Sequence, residues 1–143
     1  MKIGTSNVSA IYIGTQKVSK VYVGTNLAYE AYSKGLEYEL STGGNQYYKV
    51  AGVGEFTGST LIIPDYYNGY PVWNINAYAF EGNDSLEKII IPKSIKFIGE
   101  YAFRNCSNLT VIQYKGTIAE WNNLNKTLGL TSQTVVYCTD GEA

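Results

Sequence analysis

Leu86-Glu87-Lys88-Ile89-Ile90-Ile91-Pro92-Lys93-Ser94-Ile95-Lys96-Phe97-Ile98-Gly99-Glu100-Tyr101-Ala102-Phe103-Arg104-Asn105-Cys106-Ser107-Asn108 is the stretch on which the fold turns. Leu109 restarts it 23 positions after Leu86, and Tyr78-Ala79-Phe80 stands 23 positions before Tyr101-Ala102-Phe103. Self-similarity at a period of this length marks a solenoid, in which each unit can bury its apolar face only against its neighbours. Within the unit a β-branched run ends at Pro92, which has no N–H to give a strand ladder. A second apolar step follows at Ile95 and Ile98-Gly99, and then a helical turn whose Ala102-Phe103 is expected to point inward.

The preceding copy runs from Leu61-Ile62-Ile63-Pro64 through Ile75 to Tyr78-Ala79-Phe80 and is five residues longer. Ala79 and Ala102 are small enough for coils to approach closely, and Phe80 and Phe103 are expected to stack in a shared core. The Asn and Ser residues after each Phe suit the loop that reverses direction. Further upstream, residues 36 to 60 form an opening coil without Tyr-Ala-Phe.

These residues resemble the BspA-type, or treponemal-type, leucine-rich repeat family. The likeness rests on Ile91-Pro92, Ile98-Gly99, Tyr101-Ala102-Phe103 and Asn105-Cys106-Ser107-Asn108-Leu109, and it extends over about Leu36 to Tyr114. It implies a solenoid that presents a surface for binding. The tail from Tyr114 to Gly141 resembles the closing segment of such arrays, which implies a carboxy-terminal cap with Trp121 over the last coil. The array is short and lacks the long repeat run and secretion signal usual in bacterial surface members, which points to a small phage or prophage structural gene.

A second repeat, of period ten, opens the chain: IGTSNVSAIY (3–12), IGTQKVSKVY (13–22) and VGTNLAYEAY (23–32). Gly-Thr followed by Asn, Gln or Ser is turn chemistry, and the intervening β-branched and aromatic residues are strand chemistry. The length predicts an antiparallel three-stranded meander. Some 30 residues of sheet cannot bury enough surface to stand alone, so this module is expected to dock on the following domain or on copies of itself, serving attachment or homo-oligomerisation. The stretch resembles short repeats at the starts of phage and prophage structural proteins.

Composition narrows the function classes. With 11 basic and 12 acidic residues the net charge is -1, and the basic residues are scattered. A nucleic-acid partner would want a clustered basic face, so none is expected. No apolar run approaches the roughly 18 residues of a membrane helix, and residues 1–7 carry no signal-peptide core, so neither membrane insertion nor secretion is expected. The expected location is a virion after synthesis in the cytoplasm, the alternative being a bacterial cell surface. Cys106 and Cys138 read as small buried hydrophobes, with free thiols favoured over a disulfide. There is no His, which removes imidazole bases, imidazole metal ligands and Ser-His or Cys-His nucleophiles. Asp65, Asp84, Glu87, Glu100 and Glu120 fall at solvated turns and strand faces, not in a recognisable acid pair. Gly52 to Gly58 lacks the spacing of a nucleotide loop and reads as a turn between strands. No catalytic residue, metal or cofactor is expected.

The segment Asp65-Tyr66-Tyr67-Asn68-Gly69-Tyr70-Pro71-Val72-Trp73-Asn74 has the composition of a binding loop, because aromatic rings offer rigid contact area with a polar tip. Tyr67, Pro71 and Val72 are expected to be structural, which leaves Tyr66, Tyr70 and Trp73 as candidate ligand contacts.

The expected fold is mainly β with short helical turns: a small leucine-rich repeat solenoid preceded by the β-meander. The chain divides into a decapeptide module (1–33), the repeat stack (34–115) and its cap (116–143). The expected function is a non-catalytic binding or adhesion protein of a phage or prophage tail, recognising a protein or surface glycan of a host cell or virion. A purely structural virion subunit and a bacterial adhesin fragment are the alternatives.

Overall fold

The computed structural model describes residues 32–124 and 126–143 in full, together with the backbone of four short strands between residues 12 and 30. Strands β1 (Tyr12–Ile13) and β2 (Gln16–Lys17) pair antiparallel, and so do β3 (Lys20–Val23) and β4 (Asn26–Glu30). Each pair flanks one Gly-Thr step. The described strands thus form two antiparallel pairs, and the three-stranded meander expected of residues 3–32 falls in part on residues outside those described. The residues joining them, and the self-association expected of residues 3–32, lie outside the described residues.

The rest of the chain comprises β5 (Glu37–Ser41), β6 (Tyr47–Gly52), β7 (Thr60–Ile62), β8 (Tyr66–Tyr67), β9 (Tyr70–Ile75), β10 (Lys88–Ile91), β11 (Phe97–Ile98), β12 (Val111–Tyr114), α1 (Ile118–Asn123), β13 (Val135–Cys138) and β14 (Gly141–Glu142). Two sheets run along the stack. In one, β7, β10, β12 and β13 are parallel neighbours, and β14 closes the end antiparallel. In the other, β6, β9 and β11 are parallel, β5 lies antiparallel outside β6, and β8 forms a hairpin with β9.

Register carries the repeat into space. Ile89 lies between Leu61 and Ile112, and Val136 continues that column; Val50, Ile75 and Ile98 form the facing one. All seven are buried. Parallel strands can stay in step only if the chain between them completes one whole coil. The extra residues of the longer coil are taken up by the β8–β9 hairpin, so β7 and β10 remain aligned.

The Tyr-Ala-Phe segments build a third wall. Tyr78, Phe80 and Gly82 donate their N–H groups to the carbonyls of Glu100, Ala102 and Arg104, and Tyr101 and Phe103 donate onward to Thr127 and Leu128. Phe80 and Phe103 are buried and stack with centroids 5.7 Å apart, 3° from parallel. These segments are successive tight turns, with Ala79 donating to Asn76 and Glu81 to Tyr78, where the sequence suggests a helical turn. Tyr78 and Tyr101 sit at φ 57° and 53°, a left-handed conformation that interrupts any α-helix.

Both ends are finished by side chains. Ser33 donates its N–H to Ile62 O (2.9 Å) and accepts the Ile62 N–H on Oγ (2.8 Å), which blunts the exposed edge of β7. Gly54, at φ 54°, passes so near Gly35 that a Cβ would lie 2.1 Å from its carbonyl oxygen. The glycine-rich stretch is thus a turn between β6 and β7. At the other end Trp121 of α1 is buried against Tyr114 (5.4 Å between centroids). Cys106 is buried and donates to Phe80 O, whereas Cys138, on the outermost parallel strand, is half-buried; both are free thiols.

Thr117 caps α1 by accepting the Glu120 N–H, while Glu120 accepts the Thr117 N–H at 2.9 Å. Thr117→Ala is expected to lower unfolding stability by about 1 kcal/mol, read from the urea midpoint. Lys93, 2.7 Å away, and the Thr117 N–H hold the Glu120 carboxyl below its ordinary value of 4.5. A carboxyl with a depressed folded pKa contributes stability that is complete above its unfolded value and is lost as pH falls through the folded one. Acidification below about pH 4.5 is therefore expected to lower the urea midpoint more steeply in wild type than in Glu120→Gln.

Candidate binding surfaces

Strand alternation divides β7, β10, β12 and β13 into two sets. Leu61, Ile89, Ile91, Ile112, Tyr114 and Val136 face the core. The residues between them face outward. Ile62, Ile90, Gln113 and Tyr137 align in one outward row, and Thr60, Lys88, Val111 and Val135 in another. Val135 and Tyr137 are 37% and 42% exposed, and Ile62, Ile90 and Val111 are half-buried. The result is a mostly apolar face, with Lys88 in one row and Asp65 and Lys115 beside Ile62 and Ile90. Sequence reading misses it, because Ile89-Ile90-Ile91 looks like one buried run; the period of two separates Ile90 from Ile89 and Ile91 without saying which face is covered.

The tyrosine hairpin is built differently. Asn68 (φ 47°) and Gly69 (φ 86°) form its tip, both left-handed as a twisted two-residue turn demands. Tyr66 and Tyr70 are 43% and 37% exposed. Tyr67 stacks on Tyr38 (3.8 Å, 13°) and meets Tyr48 edge-on (4.9 Å, 86°), while Val72 is fully buried, so both have the structural roles expected of them.

Trp73 is separated from Tyr70 by the sheet itself. Tyr70 leans on Tyr48, whereas Trp73 stacks on Tyr47 (5.0 Å, 26°), and adjacent strand residues face opposite ways. A bulge places Trp73 between the Tyr48–Val72 and Lys49–Asn74 pairs, and Lys96 Nζ covers its ring at 5.4 Å from the centroid. Beside it Glu39 accepts from Asn76 (3.2 Å) and pairs with Lys49 (3.3 Å), which hold its carboxyl below the usual range. Tyr66, Tyr70 and Trp73 thus do not form one patch.

Asp84 accepts from the Ser107 hydroxyl and N–H, linking equivalent positions of successive coils, and this lowers its pKa. On the turn wall, Arg104 lies 5.6 Å over the Tyr101 ring and 3.6 Å from Glu81. Among the described residues no cluster of three or more His, Cys, Asp or Glu could hold a metal ion, and no helix is long and apolar enough to cross a membrane.

Residues 69–127 match the model of the BspA type Leucine rich repeat region, drawn for six copies. This stretch is a BspA-type leucine-rich repeat region. Two solved structures share the fold. A Treponema pallidum leucine-rich repeat protein, TpLRR, is 23% identical with a TM-score of 0.51, over 64% of this chain and 45% of that one. A leucine-rich repeat protein of Bacteroides ovatus is 23% identical with a TM-score of 0.50, over 73% of this chain and 36% of that one. The chain therefore spans less than half the length of either relative. No curated protein sequence matches it significantly. The matched region includes β10, β11 and β12, and the structure extends the same two sheets upstream to β6 and β7 and downstream to β13.

Proposed function

We propose that this BspA-type stack is a non-catalytic binding scaffold that receives a protein partner on the outward face of β7, β10, β12 and β13. The apolar rows around Ile62, Ile90, Val111, Val135 and Tyr137 carry the reading. A contiguous apolar face on a rigid, in-register sheet is costly to leave in water and is preorganised for a flat partner. The decapeptide repeats favour a setting in a phage or prophage tail, with a host receptor or virion protein as the partner; a structural virion subunit and a cell-surface adhesin are the competing settings.

The test is immobilised full-length protein probed with host-cell surface proteins, virion proteins and a glycan array. Ile90→Glu and Val111→Glu are expected to weaken capture of the protein partner at least about tenfold while leaving the urea midpoint within about 0.5 kcal/mol of wild type. Tyr70→Ala and Trp73→Ala are expected to have little effect on it. Glycan binding abolished by Tyr70→Ala or Trp73→Ala, with Ile90→Glu silent, would overturn the sheet-face reading in favour of the aromatic residues.

A further inference from the structure

We infer that the amino-terminal decapeptide strands dock on the tyrosine corner of their own chain, around Tyr38, Tyr67 and the β8 strand, and act as a fixed cap on the opening side of the stack. Three observations converge there. First, β2 (Gln16–Lys17) lies against β8 (Tyr66–Tyr67). Second, the chain leaving the decapeptides is pinned at the same corner. Ser33 makes two hydrogen bonds to Ile62, and only Ile63 to Asp65 separate Ile62 from β8. A tether of this kind keeps the decapeptide strands at high local concentration beside the hairpin, so docking within one chain outcompetes docking between chains.

Third, tyrosine rings gather at this corner, Tyr67 stacked on Tyr38 and edge-on to Tyr48. Tyr32, which closes the last decapeptide, and Tyr38 bury their hydroxyl oxygens without a hydrogen-bond partner. Burial, with the neighbouring Tyr32 and Tyr67, pushes the Tyr38 pKa far upward, so that hydroxyl remains a neutral group in an apolar setting. A hydroxyl is left dry only where something covers it. The aromatic stack of Tyr38 and Tyr67 offers β-ribbons a broad apolar floor. The hairpin that looks like a ligand loop in the sequence is, on this reading, the seat of the chain's own amino terminus.

Hydrogen–deuterium exchange on the full-length protein tests this. Amides of residues 12–17 are expected to be protected to the same degree across a wide range of protein concentration. Tyr67→Ala is expected to speed their exchange at least about tenfold, while amides of β10 and β12 keep wild-type rates. Tyr66→Ala, which removes an exposed side chain from the same strand, is the second variant and is expected to act in the same direction with the coils intact. Wild-type protection that grows with concentration would assign the docking to a second copy and overturn the proposal. Absence of protection in wild type, or exchange unaltered by both variants, would also overturn it. The outcome is independent of the sheet-face binding test, because no substituted residue is shared between them.

Discussion

Phe103→Ala is expected to destabilise the protein by about 4 kcal/mol, seen as a lower urea midpoint with an unchanged slope. Phe103 is 1% exposed and stacks on Phe80, itself 1% exposed, 5.7 Å away. Its backbone also sits in the turn wall, accepted by Leu128 O at 3.1 Å. Truncation would leave a void that the coil cannot close, since the turn wall and both sheets hold its rim at fixed spacing. Phe80→Ala is expected to weaken the same stack, and the double variant to lose less than the sum of the two, because each removal takes away the other's partner. An additive double variant would show that the rings do not form one stack. A solenoid unit contacts only its neighbours, so a loss this large in one coil uncouples the coils on either side.

Gly99→Ala is expected to be nearly as damaging, at about 3 kcal/mol, for the opposite reason. A Cβ there would lie 2.2 Å from Ala77 N and 2.6 Å from Ala77 Cα, both backbone atoms of the preceding coil. Backbone cannot swing aside as a side chain can. Relief would require lengthening the bonds from Gly99 N–H to Ile75 O (2.8 Å) and from Tyr78 N–H to Glu100 O (3.0 Å), which set the spacing between coils. Gly43→Ala is the control: nothing lies within 4 Å of its Cβ position, and a change within about 0.5 kcal/mol is expected. Thermal or urea unfolding of both variants checks the contrast. Equal stability of the two would show that close approach at Gly99 does not limit coil spacing.

Much of the fold was legible because a repeat protein writes its geometry as a period. The return of Tyr-Ala-Phe and of Leu after 23 positions determined that strands would lie in parallel register, with Phe80 on Phe103 and Ile89 beside Ile112. Trp121, a large aromatic beyond the last repeat, is buried against Tyr114. The decapeptide period was equally clear, and the described strands pair antiparallel on either side of two of its Gly-Thr steps. Each Gly-Thr can close a hairpin, and which neighbours pair depends on how the ribbons meet the rest of the molecule.

The candidate surfaces were harder to read. The composition of the tyrosine loop singled out Tyr66, Tyr70 and Trp73 as candidate contacts, but a side chain's face is decided by register and by a bulge, neither of which composition reports. Tyr70 turned to the Tyr48 side of the sheet and Trp73 to the Tyr47 side. The apolar rows of Ile62, Ile90 and Val111 were concealed by the opposite effect: a strand apolar on both faces does not announce which face is covered. The sequence by itself determined the solenoid, its coil length and its phenylalanine core, because these follow from local chemistry repeated at a fixed interval. Only the tertiary structure decided which apolar residues were left facing outward, because that depends on where the stack stops adding layers and on which neighbour each strand meets.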